Sequence, residues 1–226
     1  MNERTLIMCD FSNETPDPNK EWFVDSPFIT RFIEHVRERM EAQPDRALLL
    51  EELKPAFTEL MNSEGWLPEE YATPDETSGM GGGIGQYALY RAGDGSLTLF
   101  SLVVPAGSST PVHDHLAWGL IGLYQGSQRE QVYAVADGDP DSGHAQLELT
   151  KDVHVDTGEF FPLLPPKDDI HRVTTTSEEA SISIHLLGND TGCVTRHSYE
   201  PETSVVKSFR SGYSNLPCDD ESEAAD

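Results

Sequence analysis

The stretch that decides the fold is PVHDHLAWGLIGLYQG, residues 111–126, in which two histidines flank an aspartate and precede an apolar run. On a β-strand, residues i and i+2 point to the same face, so His113 and His115 share one face while Asp114 points the other way. The run that follows has the composition of a buried strand. The stretch therefore predicts two imidazoles at the mouth of a β-structure, placed to bind one metal ion.

The chain around this stretch has the rhythm of a β-protein. From Tyr87 onward, short apolar runs recur between turn signals such as AGDG, DGDPDSG and GND. The pattern predicts ten short strands, at residues 87–91, 96–104, 111–113, 117–124, 129–136, 145–151, 159–163, 170–174, 180–187 and 193–199. Because no helical pattern separates them, we expect a sandwich or barrel, most simply an eight-stranded jelly roll.

Two helices are predicted before the strands. DSPFITRFIEHVRERMEA places Pro27 at a first helical position and apolar residues on one face. A second helical pattern follows, in which Pro55 is expected to cause a kink. We therefore expect an all-β fold with N-terminal helices, divided into a polar arm and helices packing on the barrel (1–85), the barrel (86–210) and an acidic tail (211–226).

Composition limits the partners and the compartment. Forty acidic residues against fifteen basic ones give a net charge of -25, which disfavours nucleic acid and anionic membranes as partners. No apolar run of about twenty residues and no signal-peptide pattern is found. Cys9, Cys193 and Cys218 are far apart and lack C-x-x-C spacing, so they are predicted to be reduced thiols. We expect a cytoplasmic monomer or homodimer.

The histidine stretch resembles the first metal motif of the cupin barrel. Gly107, His113, His115 and Gly126 stand at motif positions, and Gly119 stands where the motif has glutamate. The second cupin motif is matched by Pro166 and His171, with Asp168 in place of a glycine. His171 would complete a facial set of three neutral imidazoles, leaving three positions of an octahedral ion open. Such an ion keeps its double positive charge, which favours an anionic substrate such as a thiolate.

The sequence is further similar to the thiol dioxygenases, meaning cysteine dioxygenase and the bacterial 3-mercaptopropionate dioxygenases. The similarity rests on TPVHDHLAWGLIGLYQGSQRE, DIHRV and SISIHLLG. It implies Fe²⁺ held by His113, His115 and His171, with a small thiol and O₂ as substrates and a sulfinate as product. It also implies catalytic support from Ser183 and His185, which lie at alternate positions of one strand and would orient the site by hydrogen bonds.

The chain departs from that family at two places. Leu187 stands where the family has a tyrosine, and Gly85 and Gln86 stand where an arginine would bind the substrate carboxylate. Arg210 with Tyr213 is our candidate replacement for that arginine, and the histidines outside the matched positions are predicted to lie at the surface (His35, His144, His154 and His197). Two alternatives stay open: another three-histidine metal enzyme, a dioxygenase or lyase acting on an oxygen-chelating substrate, and a metal-binding module without turnover.

Overall fold

The computed structural model describes residues 20–78 and 80–218. The N-terminal arm before residue 20, with Cys9, and the acidic residues 219–226 lie outside the described residues. Two helices, α1 (Pro27–Ala42) and α2 (Arg46–Asn62), precede the strands. The described strands are β1 (Gly85–Arg91), β2 (Thr98–Val104), β3 (Val112–His113), β4 (Gly119–Gln125), β5 (Ser127–Asp139), β6 (His144–Asp156), β7 (Phe160–Leu163), β8 (Ile170–Thr175), β9 (Ser181–Leu187), β10 (Arg196–Glu200) and β11 (Val205–Phe209).

The helices form where the sequence predicts them. Pro27 opens α1, and the side chain of Asp45 accepts hydrogen bonds from the first backbone N–H groups of α2 at Ala47 and Leu48. α2 continues through Pro55 as one helix. The apolar faces of both helices share a buried cluster with β1, β2, β4 and β9. Among the described residues, no helix is long and apolar enough to cross a membrane.

The strands form two antiparallel sheets. The first has the order β1-β2-β9-β4-β7, and the second has the order β10-β11-β6-β5-β8-β3, in which β10 also pairs with β3. A second apolar cluster lies inside, with residues of β2, β4, β8 and β9. This arrangement is a jelly roll. The predicted all-β jelly roll with N-terminal helices is confirmed.

The segment that follows β11, residues 211–218, lies against β1. Ser214 and Asn215 exchange hydrogen bonds with the backbone of Gln86 and Ala88. The end of the segment is joined to the chain before β10 by a disulfide between Cys193 and Cys218, whose Cα atoms are 5.2 Å apart. The prediction of reduced thiols is therefore wrong for this pair. The two cysteines are 25 positions apart, and only the return of the β10–β11 hairpin brings them together.

Candidate metal centre

Three histidines converge inside the second sheet. His113 ends β3 and pairs in register with His171 of β8, while His115 follows two positions later on the same face. Their ligand nitrogens all lie within 4.8 Å of one another. The three side chains are buried, at 4%, 2% and 2% exposure. The structure thus brings together the three residues that the sequence predicts as ligands.

The Nδ1 atom of each imidazole is held from behind by a different acceptor. His113 Nδ1 lies 3.0 Å from the Pro111 carbonyl oxygen, and His115 Nδ1 lies 3.1 Å from the carbonyl oxygen of Asp169. His171 Nδ1 lies 2.9 Å from a carboxylate oxygen of Glu130. When Nδ1 carries the hydrogen and donates it, Nε2 presents its lone pair to the centre of the cluster.

The electrostatics of the cluster favour neutral imidazoles. Burial lowers the pKa of His113 and His115, and the neighbouring His171 lowers both further. Neutral imidazole is the form that binds a metal. The Nε2 of His115 is buried and has no hydrogen-bond partner within the described residues. An orphaned buried nitrogen aimed at two other imidazoles is the arrangement expected of a metal ligand, so the residues fit a divalent ion that accepts nitrogen ligands.

Asp169 supports the second ligand through its side chain as well as its carbonyl group. Its carboxylate accepts hydrogen bonds from the backbone N–H groups of His115, at 3.0 Å, and Leu116, at 3.2 Å. Burial alone would raise the pKa of Asp169, but the hydrogen bonds from His115 and from the backbone N–H of Leu116 outweigh it and the pKa is lowered. The carboxylate therefore stays ionised and fixes the backbone that carries His115.

A row of side chains from the first sheet faces the histidines. Phe161 of β7, Ile121 of β4, His185 of β9 and Phe100 of β2 are register neighbours across four adjacent strands, so they point to the same side. The His185 ring lies 6.3 Å from that of His115, and it stacks on Phe100 at 4.5 Å. Apart from His185, this row is apolar.

His185 is bonded on one side and unpartnered on the other. Its Nε2 lies 2.9 Å from the hydroxyl of Ser183, while its buried Nδ1 has no hydrogen-bond partner in residues 20–78 and 80–218. Burial lowers the pKa of His185 well below its usual value, and the neighbouring His115 adds to the effect. The two residues that the sequence predicts as catalytic support therefore contact each other beside the cluster, with one imidazole nitrogen available to a ligand.

Gly119 explains why no carboxylate completes the ligand set. A Cβ at this position would lie 2.1 Å from the backbone oxygen of Leu186 and 2.5 Å from a methyl group of Leu187. Gly119 and Leu187 are register partners across β4 and β9. The two strands approach too closely for any side chain at this position, so the glutamate of the cupin motif has no room here.

Asp114, between two of the histidines, has a role that sequence reasoning missed. It points away from the cluster, as predicted, yet it is only 2% exposed. Its carboxylate accepts hydrogen bonds from the backbone N–H of His197 and the hydroxyl of Tyr199, and the ring of His197 bonds to it at 2.7 Å. His197 is predicted to lie at the surface, but its ring is half-buried. Its contact with Asp114 links β10 to the loop that carries His115. No spacing in the sequence signals this contact.

Arg196 is a buried cation close to the site, and its donors are engaged. It is 3% exposed and donates to the backbone oxygens of Thr191 and Asp114 and to the hydroxyl of Ser211. Burial lowers its pKa to about 10, so it stays charged at neutral pH. Gln86, at the position of the missing arginine, donates to the same Ser211 hydroxyl at 3.2 Å.

The structure does not bring the predicted Arg210 and Tyr213 pair into the histidine cluster. The hydroxyl of Tyr213 donates to Asp190 and accepts from the backbone N–H of Gly192. Arg210 and Tyr213 line a separate groove together with Asp75. The Tyr213 ring also packs against Phe100 of the row that faces the histidines, at 6.0 Å, and the pair stays a prediction as the replacement for the missing arginine.

Comparisons with known proteins gave structural matches of low sequence identity. No family model matches the chain. A double-stranded β-helix protein from Klebsiella pneumoniae is 11% identical, with 66% of this chain and 99% of that chain covered and a TM-score of 0.40. The cupin domain of Schizosaccharomyces pombe Cnp3 is 14% identical, with 57% and 75% covered and a TM-score of 0.38. An oxalate oxidase is 16% identical, with 57% of this chain and 64% of that chain covered and a TM-score of 0.36.

Proposed function

We propose that the protein is an iron(II)-dependent dioxygenase that converts a small thiol to a sulfinate, RS⁻ + O₂ → RSO₂⁻. The observation that supports the proposal is the ligand set, three buried imidazoles with Gly119 where a carboxylate would stand. Three neutral ligands leave the charge of a divalent ion uncompensated, and an anionic thiolate would compensate it. Three further positions of an octahedral ion suffice for a thiolate and dioxygen.

The side chains around the site have defined tasks in this reaction. A ferrous ion held by the three Nε2 atoms would supply the redox chemistry that joins dioxygen to sulfur. The acceptors behind the imidazoles keep the rings oriented, and for His171 the acceptor is a side-chain oxygen of Glu130. His185, neutral and fixed by Ser183, offers Nδ1 as a hydrogen-bonding group to a ligand. Phe100 and Ile121 exclude water from this face.

The proposed reaction needs no macromolecular partner. The thiol supplies all the electrons that dioxygen accepts, so no reductase is required. We accordingly propose an enzyme that works as a monomer or homodimer, without nucleic acid or membrane.

A second candidate is another three-histidine metal enzyme, a dioxygenase or lyase that takes an oxygen-chelating substrate. The observation that favours it concerns the two positions at which the thiol dioxygenases would contact the substrate. Gln86 stands in place of the arginine that would bind a substrate carboxylate, and it is buried and hydrogen-bonded to Ser211. Leu187 stands in place of the tyrosine and has no hydroxyl group. A chelating substrate needs no such anchor, since two oxygen ligands on the ion hold it. A metal-binding protein without turnover is the remaining alternative.

Oxygen consumption tests the proposal. The protein is loaded anaerobically with Fe²⁺, its iron content is measured, and O₂ uptake is followed with cysteine, 3-mercaptopropionate, cysteamine and 2-phenylethanethiol. We expect one O₂ per thiol and a product carrying two added oxygen atoms by mass spectrometry. His113→Ala should remove both iron and uptake, whereas His144→Ala, at an exposed position, should change neither. No uptake with any thiol at full iron loading would refute the thiol reaction, and uptake with a diketone would favour the second candidate.

A further inference from the structure

A groove of about 500 Å³ opens beside the histidine cluster. It lies where the two sheets part, between β6 of the second sheet and β7 at the edge of the first. Its walls include four residues of β5 and β6 and two of β7, namely Glu130, Val132, Val153, Val155, Phe160 and Phe161. Six of the eleven lining residues are apolar and can hold the carbon skeleton of a small ligand. The other five are charged or polar, namely Glu130, Lys151, His154, Glu159 and Asp168.

The inner end of the groove reaches His171. The Glu130 carboxylate, which lines the groove, bonds to the Nδ1 atom of this imidazole. Val132 is the register partner of His171 on β5. The ring of Phe161 lies 6.5 Å from the imidazole ring at a steep angle. The groove therefore adjoins the candidate metal centre at His171, with Glu130 and Phe161 lying between the two.

The groove also shares Phe161 with the row of side chains that faces the histidines. Phe161 lies at the β7 end of the row that faces the histidines, and Phe100 lies at the β2 end. The β2 end is covered, because the ring of Tyr213 packs against Phe100 and residues 211–218 close over β1. A ligand entering from the β7 end would pass Phe161 and meet the faces of the imidazoles.

The charges of the groove disfavour a carboxylate on the ligand. Lys151, the ammonium group of the lining, lies 2.8 Å from the carboxylate of Asp168. Glu130 and Glu159 add two further carboxylates to the lining. A second carboxylate brought by a ligand would meet like charges here, while an apolar body would bury surface against valine and phenylalanine side chains.

We propose that the groove between β6 and β7 is the entrance of the metal site and holds the body of its ligand, so that the site selects apolar thiols over carboxylate-bearing ones. The thiol in this statement rests on the proposed function, whereas the entrance and the preference for an apolar body rest on the groove.

Ligand binding to the Co²⁺-loaded protein tests the inference without turnover. Visible titrations give dissociation constants for 2-phenylethanethiol, 3-mercaptopropionate and azide, the last being a small anion with no body to place in the groove. Burial of one phenyl group should make 2-phenylethanethiol bind roughly tenfold more tightly than 3-mercaptopropionate. Equal affinities, or tighter binding of the carboxylate, would overturn the inference.

Two tryptophan variants locate the effect. Val153→Trp fills the groove from a side chain that is 44% exposed, so the fold should tolerate it. It should raise the dissociation constant of 2-phenylethanethiol by about tenfold and leave that of azide unchanged, since the lost contact is apolar. The matched control, Gln146→Trp, lies at an exposed position of the same strand outside the groove and should change neither constant. Unchanged 2-phenylethanethiol binding in Val153→Trp would also overturn the inference.

A third variant widens the inner end of the groove, at Phe161, instead of filling the groove. Phe161→Ala should raise the association rate of 2-phenylethanethiol several-fold, and an unchanged rate would count against entry past this ring. Failure of the proposed function looks different, because the iron-loaded protein would then consume no O₂ while the Co²⁺ protein still showed the groove-dependent preference. Conversely, thiol oxidation without that preference would retain the function and refute the inference.

Discussion

Replacing Glu130 with alanine is the sharpest test of the candidate metal centre. The carboxylate lies 2.9 Å from His171 Nδ1, with the two side chains 5% and 2% exposed. A hydrogen bond to a charged group contributes about 1.5–3 kcal/mol, and one factor of ten corresponds to about 1.4 kcal/mol. Its loss leaves a buried N–H unpaired and the ring free to turn. We therefore expect the metal dissociation constant to rise by about 10- to 100-fold, as for other partners of metal-bound histidines.

The measurement is a competition between the protein and a chromophoric chelator for Co²⁺ or Zn²⁺. Glu130→Gln keeps an oxygen acceptor at the same place, so its loss of affinity should be smaller than that of Glu130→Ala. Gln128→Ala is the matched control, because Gln128 is buried on the same strand and bonds to Ser181 instead of a histidine. Wild-type affinity in Glu130→Ala, or an equal loss in Gln128→Ala, would show that the carboxylate does not act through His171.

Three further predictions concern stability and covalent structure. Gly119→Ala should lower the free energy of unfolding by at least about 1–3 kcal/mol in urea titrations, because its Cβ would lie 2.1 Å from the Leu186 oxygen. Burial lowers the pKa of His185 in the folded protein below the value of about 6.5 expected in the unfolded chain. Protonation therefore favours the unfolded chain, and the free energy of unfolding should fall as the pH drops below about 6.5. Urea titrations of the metal-free protein should show this loss, with a smaller pH slope in His185→Phe. Reduction should add two hydrogens to the intact mass, mapped to Cys193 and Cys218, whereas a Cys–Tyr crosslink should be absent.

The sequence predicts those features that depend on local pattern. The alternation of apolar residues between turn signals predicts ten strands, and the structure has a strand at each of these places. The i, i+2 spacing predicts that His113 and His115 share one face. β11 was missed because its sequence, VVKSF, offers a single buried residue, Val206, and no alternation long enough to recognise. Its existence depends on pairing with β10 rather than on its own apolar content.

The supports of the histidines could not be predicted, because they depend on register between distant strands. Glu130 lies in SQREQV, a polar stretch typical of a solvent-exposed strand, and becomes buried only because β8 pairs beside it. Asp114 likewise needs β10, more than eighty residues later, to receive its hydrogen bonds. The disulfide at Cys193 depends on the same C-terminal return of the chain.

The placement of acidic groups around the site bears on which thiols would bind. Glu130 and Asp169 contact the histidines from behind, at Nδ1 or at the backbone, and Asp114 points toward β10. These carboxylates hold the ligands without occupying a coordination position. The opposite face presents apolar rings and His185, and the nearby guanidinium of Arg196 is already engaged by three acceptors. A thiolate could therefore compensate the charge of a bound ion from the front, but a substrate carboxylate would have to displace an existing contact of Arg196. On this reasoning, affinity should follow the apolar body of the thiol more than its second charged group.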